Sequence, residues 1–203
     1  MKIALVGASG NIGSKVVGEL VSRGHTVTAI ARNSEKLSAS DKVQVRTGDA
    51  SDPAALAALL KGHDAVISSL PFAPGLSTAI IAAVKQSGVK RYIMVGGAGS
   101  LEVAPGKMLK DTLTLPDAVR AIIEEGTASL NRLRAENGID WTFFSPAAEI
   151  GPGERTGKFR LGGDQLVVDA NGKSRISYDD YAIALVDELE RGQHIKKRFT
   201  VAY

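Results

Sequence analysis

The chain has 203 residues with 22 glycines, no cysteine and a formal charge of +3, a length that suits one domain with a sizeable core and a small loop-rich lobe but not a second substrate domain. Without cysteine there can be no disulfide, thiolate metal site, cysteine-ligated iron–sulfur cluster or thiol nucleophile, so any electron transfer must use a bound cofactor. The 25 basic residues barely exceed the 22 acidic ones, and Lys196-Lys197-Arg198 is too small a run to make the concentrated patch that nucleic-acid binding needs.

Lys2–Val6 is a short apolar run that leads into glycines, which reads as a first strand rather than a signal peptide and points to a cytoplasmic protein starting at Met1. Ile12–Arg23 then carries Ile12, Val16, Val17 and Leu20 on one helical face and stops at Gly24. Strands are predicted at Thr26–Ala31, Val43–Thr47, Ala65–Ser68 and Arg91–Val95, with Asp52-Pro53 opening a helix between the second and third of these. Ala65–Val84 has no charged residue and is long enough to span a membrane, but Pro71, Pro74 and Gly75 divide it into a buried strand and an alanine-rich helix, Leu76–Ser87. This alternation predicts parallel βαβ units with right-handed crossovers, hence an α/β fold with a doubly wound parallel sheet.

After Val95 the pattern loosens. Residues 96–116 read as a loop, followed by a helix over Asp117–Asn137 and a strand at Trp141–Ser145. Residues 146–176 are glycine-rich, with Leu166–Val168 and Ser174–Ile176 flanking an Asn171-Gly172 hairpin signal. Helix Tyr178–Arg191 and strand Arg198–Ala202 complete one domain, 1–203, in which the irregular segments at about 96–116 and 146–176 are expected to serve the substrate.

The strand Lys2–Val6 runs directly into Gly7-Ala8-Ser9-Gly10-Asn11-Ile12-Gly13 and a helix. In a dinucleotide site the first glycine makes the turn, the second admits the pyrophosphate and the third lets helix and strand pack closely, while the helix amino terminus offers free N–H groups. The second strand ends at Arg32, where a guanidinium can clamp a ribose 2′-phosphate; Glu35 would serve a 2′-hydroxyl but also suits the first turn of a short helix. NADP(H) is therefore favoured over NAD(H).

The G-x-x-G-x-x-G opening resembles the short-chain dehydrogenase/reductase superfamily, a Rossmann-like fold whose usual catalytic pair is Tyr-x-x-x-Lys. None of Tyr92, Tyr178, Tyr181 and Tyr203 has a lysine four residues on. Val95–Leu101, Ser145–Ala147, Pro152–Gly157 and Ile176–Ala182 are similar to blocks of the atypical, NmrA-like branch, and nearest to its NADH-flavin and flavin/biliverdin reductases. That resemblance implies Asp49-Ala50 near the adenine, Leu70-Pro71 along the ribose and pyrophosphate, and Gly96-Gly97 with Pro146 near the nicotinamide. It also implies an NAD(P)H-dependent oxidoreductase passing hydride directly to a flavin or quinone, whose conjugated ring delocalises charge without a positioned acid. The alternative is a non-catalytic NADP(H)-sensing regulator.

Ser100 is a candidate to hydrogen-bond a substrate, and Phe72, Met108 and Phe159 are candidates to wall a ring pocket. His25, His63 and His194 are scattered, so no metal is expected, and Gly-x-Ser-x-Gly is absent. The expected partner is a small aromatic acceptor, without nucleic acid or membrane, on a monomer or homodimer.

Overall fold

The computed structural model describes residues 1–203. Its first half alternates strand and helix: β1 (Lys2–Val6), α1 (Asn11–Ser22), β2 (Thr26–Ala31), β3 (Val43–Thr47), α2 (Pro53–Leu60), β4 (Ala65–Ser68), α3 (Leu76–Ser87) and β5 (Arg91–Val95). The second half adds β6 (Glu102–Ala104), β7 (Lys107–Met108), α4 (Asp117–Arg134), β8 (Asp140–Ser145), β9 (Glu149–Gly151), β10 (Arg160–Gly162), β11 (Arg175–Ser177), α5 (Tyr178–Arg191) and β12 (Lys197–Ala202). Short 3₁₀ turns lie at Ser34–Lys36 and Leu109–Thr112.

Local chemistry sets several boundaries. The Asp52 carboxylate accepts from the amides of Ala54 and Ala55 at 3.1 and 3.0 Å, with Pro53 in the first turn where its missing N–H costs nothing. Ser177 caps α5 by accepting from the Asp180 amide at 3.0 Å.

The eight-stranded sheet runs β10-β12-β8-β5-β4-β1-β2-β3, and every pair is parallel except β10 with β12. From β1 the chain winds outward to β2 and β3, then returns to β4 on the other side of β1 and winds outward again through β5, β8 and β12. The reversal between β1 and β4 opens a crevice at the carboxyl ends of the strands, where ligands bind in such sheets. Two apolar layers fill the faces. Val16 and Leu20 of α1 and Leu185 and Leu189 of α5 belong to one; Leu56 and Leu60 of α2, Ile80 and Val84 of α3, and Leu130 and Leu133 of α4 belong to the other. On the α5 face, Tyr181, Phe144, Phe199 and His194 stack in a column with centroids 4.0–4.2 Å apart.

No helix is long and apolar enough to cross a membrane, and the uncharged run over residues 65–84 is divided between β4 and α3 as its prolines require. Three expectations need correcting. Residues 96–116 are not one open loop: β6 and β7 form an antiparallel pair, followed by a 3₁₀ turn. Helix α4 ends at Arg134 rather than Asn137, with the Glu136 carboxylate turned to the Gly138 amide at 2.7 Å. The Asn171-Gly172 turn forms, with Gly172 at φ +75°, but no hairpin flanks it. Residues 166–168 are not a strand, and β11 instead pairs in parallel with β9, with its Ile176 buried in the α1/α5 layer.

Candidate functional site

The first strand's exit is shaped by contacts that only glycine permits. Gly7 sits at φ +88°, and a Cβ there would stand 2.1 Å from the Ser69 carbonyl oxygen; one at Gly13 would stand 2.2 Å from the Gly7 oxygen. The loops after β1 and β4 therefore touch across the crevice, and α1 packs tightly on its own entry turn. Gly7 and Ala8 both donate to the Ile30 oxygen, at 2.8 and 3.3 Å, which ties this turn to β2. Ser9, Gly10 and Asn11 are exposed and Ile12 is half-buried. Gly10 brings no side-chain cap, so the first-turn amides of α1 face open space with the positive end of the helix dipole behind them. This fits a dinucleotide pyrophosphate: a bare amide cradle, no competing carboxylate in the first turn, and a missing Cβ at its centre.

On the β2–β3 side, Arg32 is exposed and has no hydrogen-bonded or ionic partner among the residues of this chain. The Asp49 carboxylate accepts from the Ser51 amide at 2.9 Å and hydroxyl at 2.8 Å; these bonds, with a smaller contribution from the charge of Arg32, hold it below the ordinary carboxylate range. Arg32 and Asp49 thus border one subsite, over the buried Ala50. Asn33 caps the short turn that carries Glu35, accepting from its amide at 3.0 Å.

On the other side, Leu70 packs near Gly7 and Pro71 is exposed beside it. Gly96 donates to the Phe144 oxygen at 2.8 Å, and its missing Cβ makes room for the Phe143 ring, which would otherwise lie 2.3 Å away. The Gly97 oxygen accepts from Ser145 at 2.9 Å, and the Pro146 oxygen from Thr200 at 3.3 Å. The glycine motif, Leu70-Pro71, Gly96-Gly97 and Pro146 all follow the carboxyl ends of neighbouring strands, from β1 through β4 and β5 to β8.

Other candidates are placed elsewhere. Ser100 is buried, and both its hydroxyl and its carbonyl accept from Arg198, at 3.1 and 2.9 Å. Arg198 also grips Asp164, so this group fastens the 98–102 segment to the sheet edge. Tyr181 is buried with its hydroxyl donating to the Phe144 oxygen at 2.6 Å, and burial pushes its phenol far above the ordinary range. Phe159 lies with Phe199 and His194 against the end of α5 rather than beside Gly97. Each histidine has a structural partner: His25 meets Glu190, His63 meets Thr28 and His194 meets Glu188.

Phe72 packs beside Gly97. Its ring fits a notch made by two glycines, 3.3 Å from where a Gly97 Cβ would stand and 3.1 Å from that of Gly126 in α4. Next to it, Ile123 lies 2.4 Å from the position of a Gly99 Cβ. A small cleft of about 20 Å³, lined chiefly by Leu70, Phe72, Leu76, Ile80 and Met94, adjoins Phe72. Gly126 was the available signal for this approach. A glycine inside a helix costs about 1 kcal/mol relative to alanine and is often kept for close packing.

A family model described as NAD(P)H-binding matches residues 7–191. A solved structure from Bacteroides thetaiotaomicron, described as a "putative epimerase", is 44% identical and has a TM-score of 0.95 over 100% of this chain and 96% of that one. One from Streptococcus pneumoniae, described as a "putative NADH-flavin reductase", is 37% identical with a TM-score of 0.84, covering 100% of this chain and 99% of that one. An NAD(P)H azoreductase from Xenophilus azovorans is 31% identical over 71% of this chain and 47% of its own length.

Proposed function

The chain belongs to the NAD(P)H-binding family, and from that membership we propose that it is an NADPH-dependent reductase passing two electrons, as a hydride from the bound dinucleotide with a proton from solvent, to a conjugated ring such as a quinone or free flavin. The atypical short-chain dehydrogenase/reductase resemblance and the reductase names among its relatives support this reading.

The observation that carries it is the wall beside Gly97 and Gly99. Phe72, Ile123 and Gly126 form that wall, and none of them can give or take a proton. The hydroxyls of Ser145, Ser100 and Tyr181 are buried and engaged, that of Ser145 with the Gly97 oxygen itself. Lys110, whose amide donates to the Gly99 oxygen at 2.9 Å, has its ammonium held by Glu124 at 2.8 Å. An isolated carbonyl gains from a positioned acid as charge collects on its oxygen, and an epimerase needs a proton donor and acceptor flanking one carbon. A conjugated ring spreads the charge, so this chain's task reduces to holding donor and acceptor face to face and excluding water.

For the cofactor, the unpartnered Arg32 favours a 2′-phosphate, hence NADPH over NADH. The test is turnover of NADPH and NADH with quinones, riboflavin and FMN. Oxidation of NADPH dependent on protein and acceptor supports the reading. Tight NADPH binding with no turnover of any acceptor overturns it in favour of a nucleotide-sensing role.

A further inference from the structure

Helix α4 carries one apolar stripe along its length at three- and four-residue spacing: Val119, Ile122, Ile123, Gly126, Leu130 and Leu133. The lower half packs as an amphipathic helix should, with Leu130 and Leu133 buried against the sheet. At Gly126 and Ile123 the stripe meets Phe72 and Gly99, level with the loop after β5. Above that level it continues, but nothing in the chain covers it: Val119 is 40% exposed and Ile122 49%. The Lys110–Glu124 ion pair joins this end of the helix to the turn whose amide donates to the Gly99 oxygen.

We propose that the uncovered stripe, Val119 and Ile122 with Ile123 at its base, is the acceptor-facing wall of the site and selects a neutral flat ring over one bearing a phosphate. This rests on the reductase reading above. The position argues for an acceptor as the occupant, since the stripe rises directly from the Gly97–Gly99 edge. Charge argues for a neutral one. The stripe has no ionisable side chain, and Lys110, whose turn abuts its base, is paired with Glu124. Arg120, which has no ion-pair partner, leaves the helix on the flank that carries Glu124 rather than on the stripe.

The test compares a neutral naphthoquinone with FMN as acceptors, in the intact protein and in Ile122→Glu, Val119→Glu and the conservative Ile122→Leu. The expected result is a higher kcat/KM for the quinone than for FMN in the unsubstituted protein. Either glutamate should raise the quinone KM about tenfold, the loss of one good apolar contact, with NADPH affinity and thermal stability unchanged and Ile122→Leu near the original. Preference for FMN, or an unchanged quinone KM in both glutamate variants, overturns the proposal while leaving the reductase reading intact. So does a glutamate variant that alters only the sedimentation of the protein, which would assign the stripe to a second copy of the chain. If the unsubstituted protein reduces neither acceptor, the reductase reading fails first and this proposal falls with it.

Discussion

Gly7 and Gly10 lie three residues apart in one turn, and substitution separates their roles. Alanine at position 7 would meet the Ser69 carbonyl at 2.1 Å in a left-handed backbone conformation, so Gly7→Ala should lower stability by roughly 2–4 kcal/mol. At position 10 the backbone is extended, at φ −75°, and a Cβ would stand an ordinary 3.4 Å from the Gly7 oxygen. Gly10→Ala should therefore cost under about 1 kcal/mol while placing a methyl group in the phosphate cradle. A melting curve and an NADPH titration decide it: Gly10→Ala keeps its melting temperature and loses cofactor affinity, whereas Gly7→Ala loses both. At the β2 end, Arg32→Ala should weaken NADPH binding by about 1.5–3 kcal/mol, the worth of a charge-assisted hydrogen bond, and leave NADH binding nearly unchanged. Equal losses for the two nucleotides would refute the phosphate clamp. These residues were legible in the sequence because spacing and strand position alone identify a nucleotide turn. Phe72 was legible only as one aromatic among several, since its notch is built from Gly97 and Gly126, which are distant in sequence.

Among the elements, the segment over residues 152–158 is held by α5 through one carboxylate. Asp180 has no solvent-accessible surface, and it accepts from the Thr156 amide and hydroxyl at 3.1 and 2.7 Å, the Gly157 amide at 2.8 Å and the Tyr203 hydroxyl at 2.8 Å. Burial alone would raise its pKa, but these bonds outweigh burial and hold it below the ordinary range. A carboxyl lowered on folding stabilises fully above its unfolded value of about 3.9 and loses that contribution as pH falls through its folded value. Asp180→Asn should cost about 1–3 kcal/mol at neutral pH by leaving amide donors unmatched, and this difference should shrink below about pH 4. A constant difference from neutral to acid pH, read by thermal melts, would contradict the assignment. The strands β1 to β5 and helix α3 were legible because each is a short apolar run between strong punctuation. β9 and β11 were not, because their parallel pairing joins Ile150 to Ile176 across a long stretch of chain that local pattern does not register.

At the scale of the whole molecule, the glycine turn with its open amides and an internal ionic anchor occupy opposite edges of the sheet. At the amino-terminal edge, the Glu188 carboxylate meets Arg91 at 2.9 Å and accepts from the His194 amide, while Arg91 also donates to Thr142 at 2.7 Å. Burial presses the Arg91 guanidinium down and Glu188 opposes this. Glu188→Ala would leave that cation unpaired in the interior, a change that costs roughly 3–5 kcal/mol. The folded protein that remains should bind NADPH as before, which denaturant melts and titrations can check together. The carboxyl-terminal edge carries the Gly7 turn, Arg32 and the apolar wall from Phe72 to Ile122. The most direct measurement of their combined action is anaerobic rapid mixing of the protein preloaded with NADPH against a neutral quinone, following the reduced nicotinamide absorbance. The proposed function predicts loss of one equivalent of NADPH per quinone, at a rate that saturates with quinone concentration. Unchanged absorbance in protein shown to have NADPH bound would contradict it.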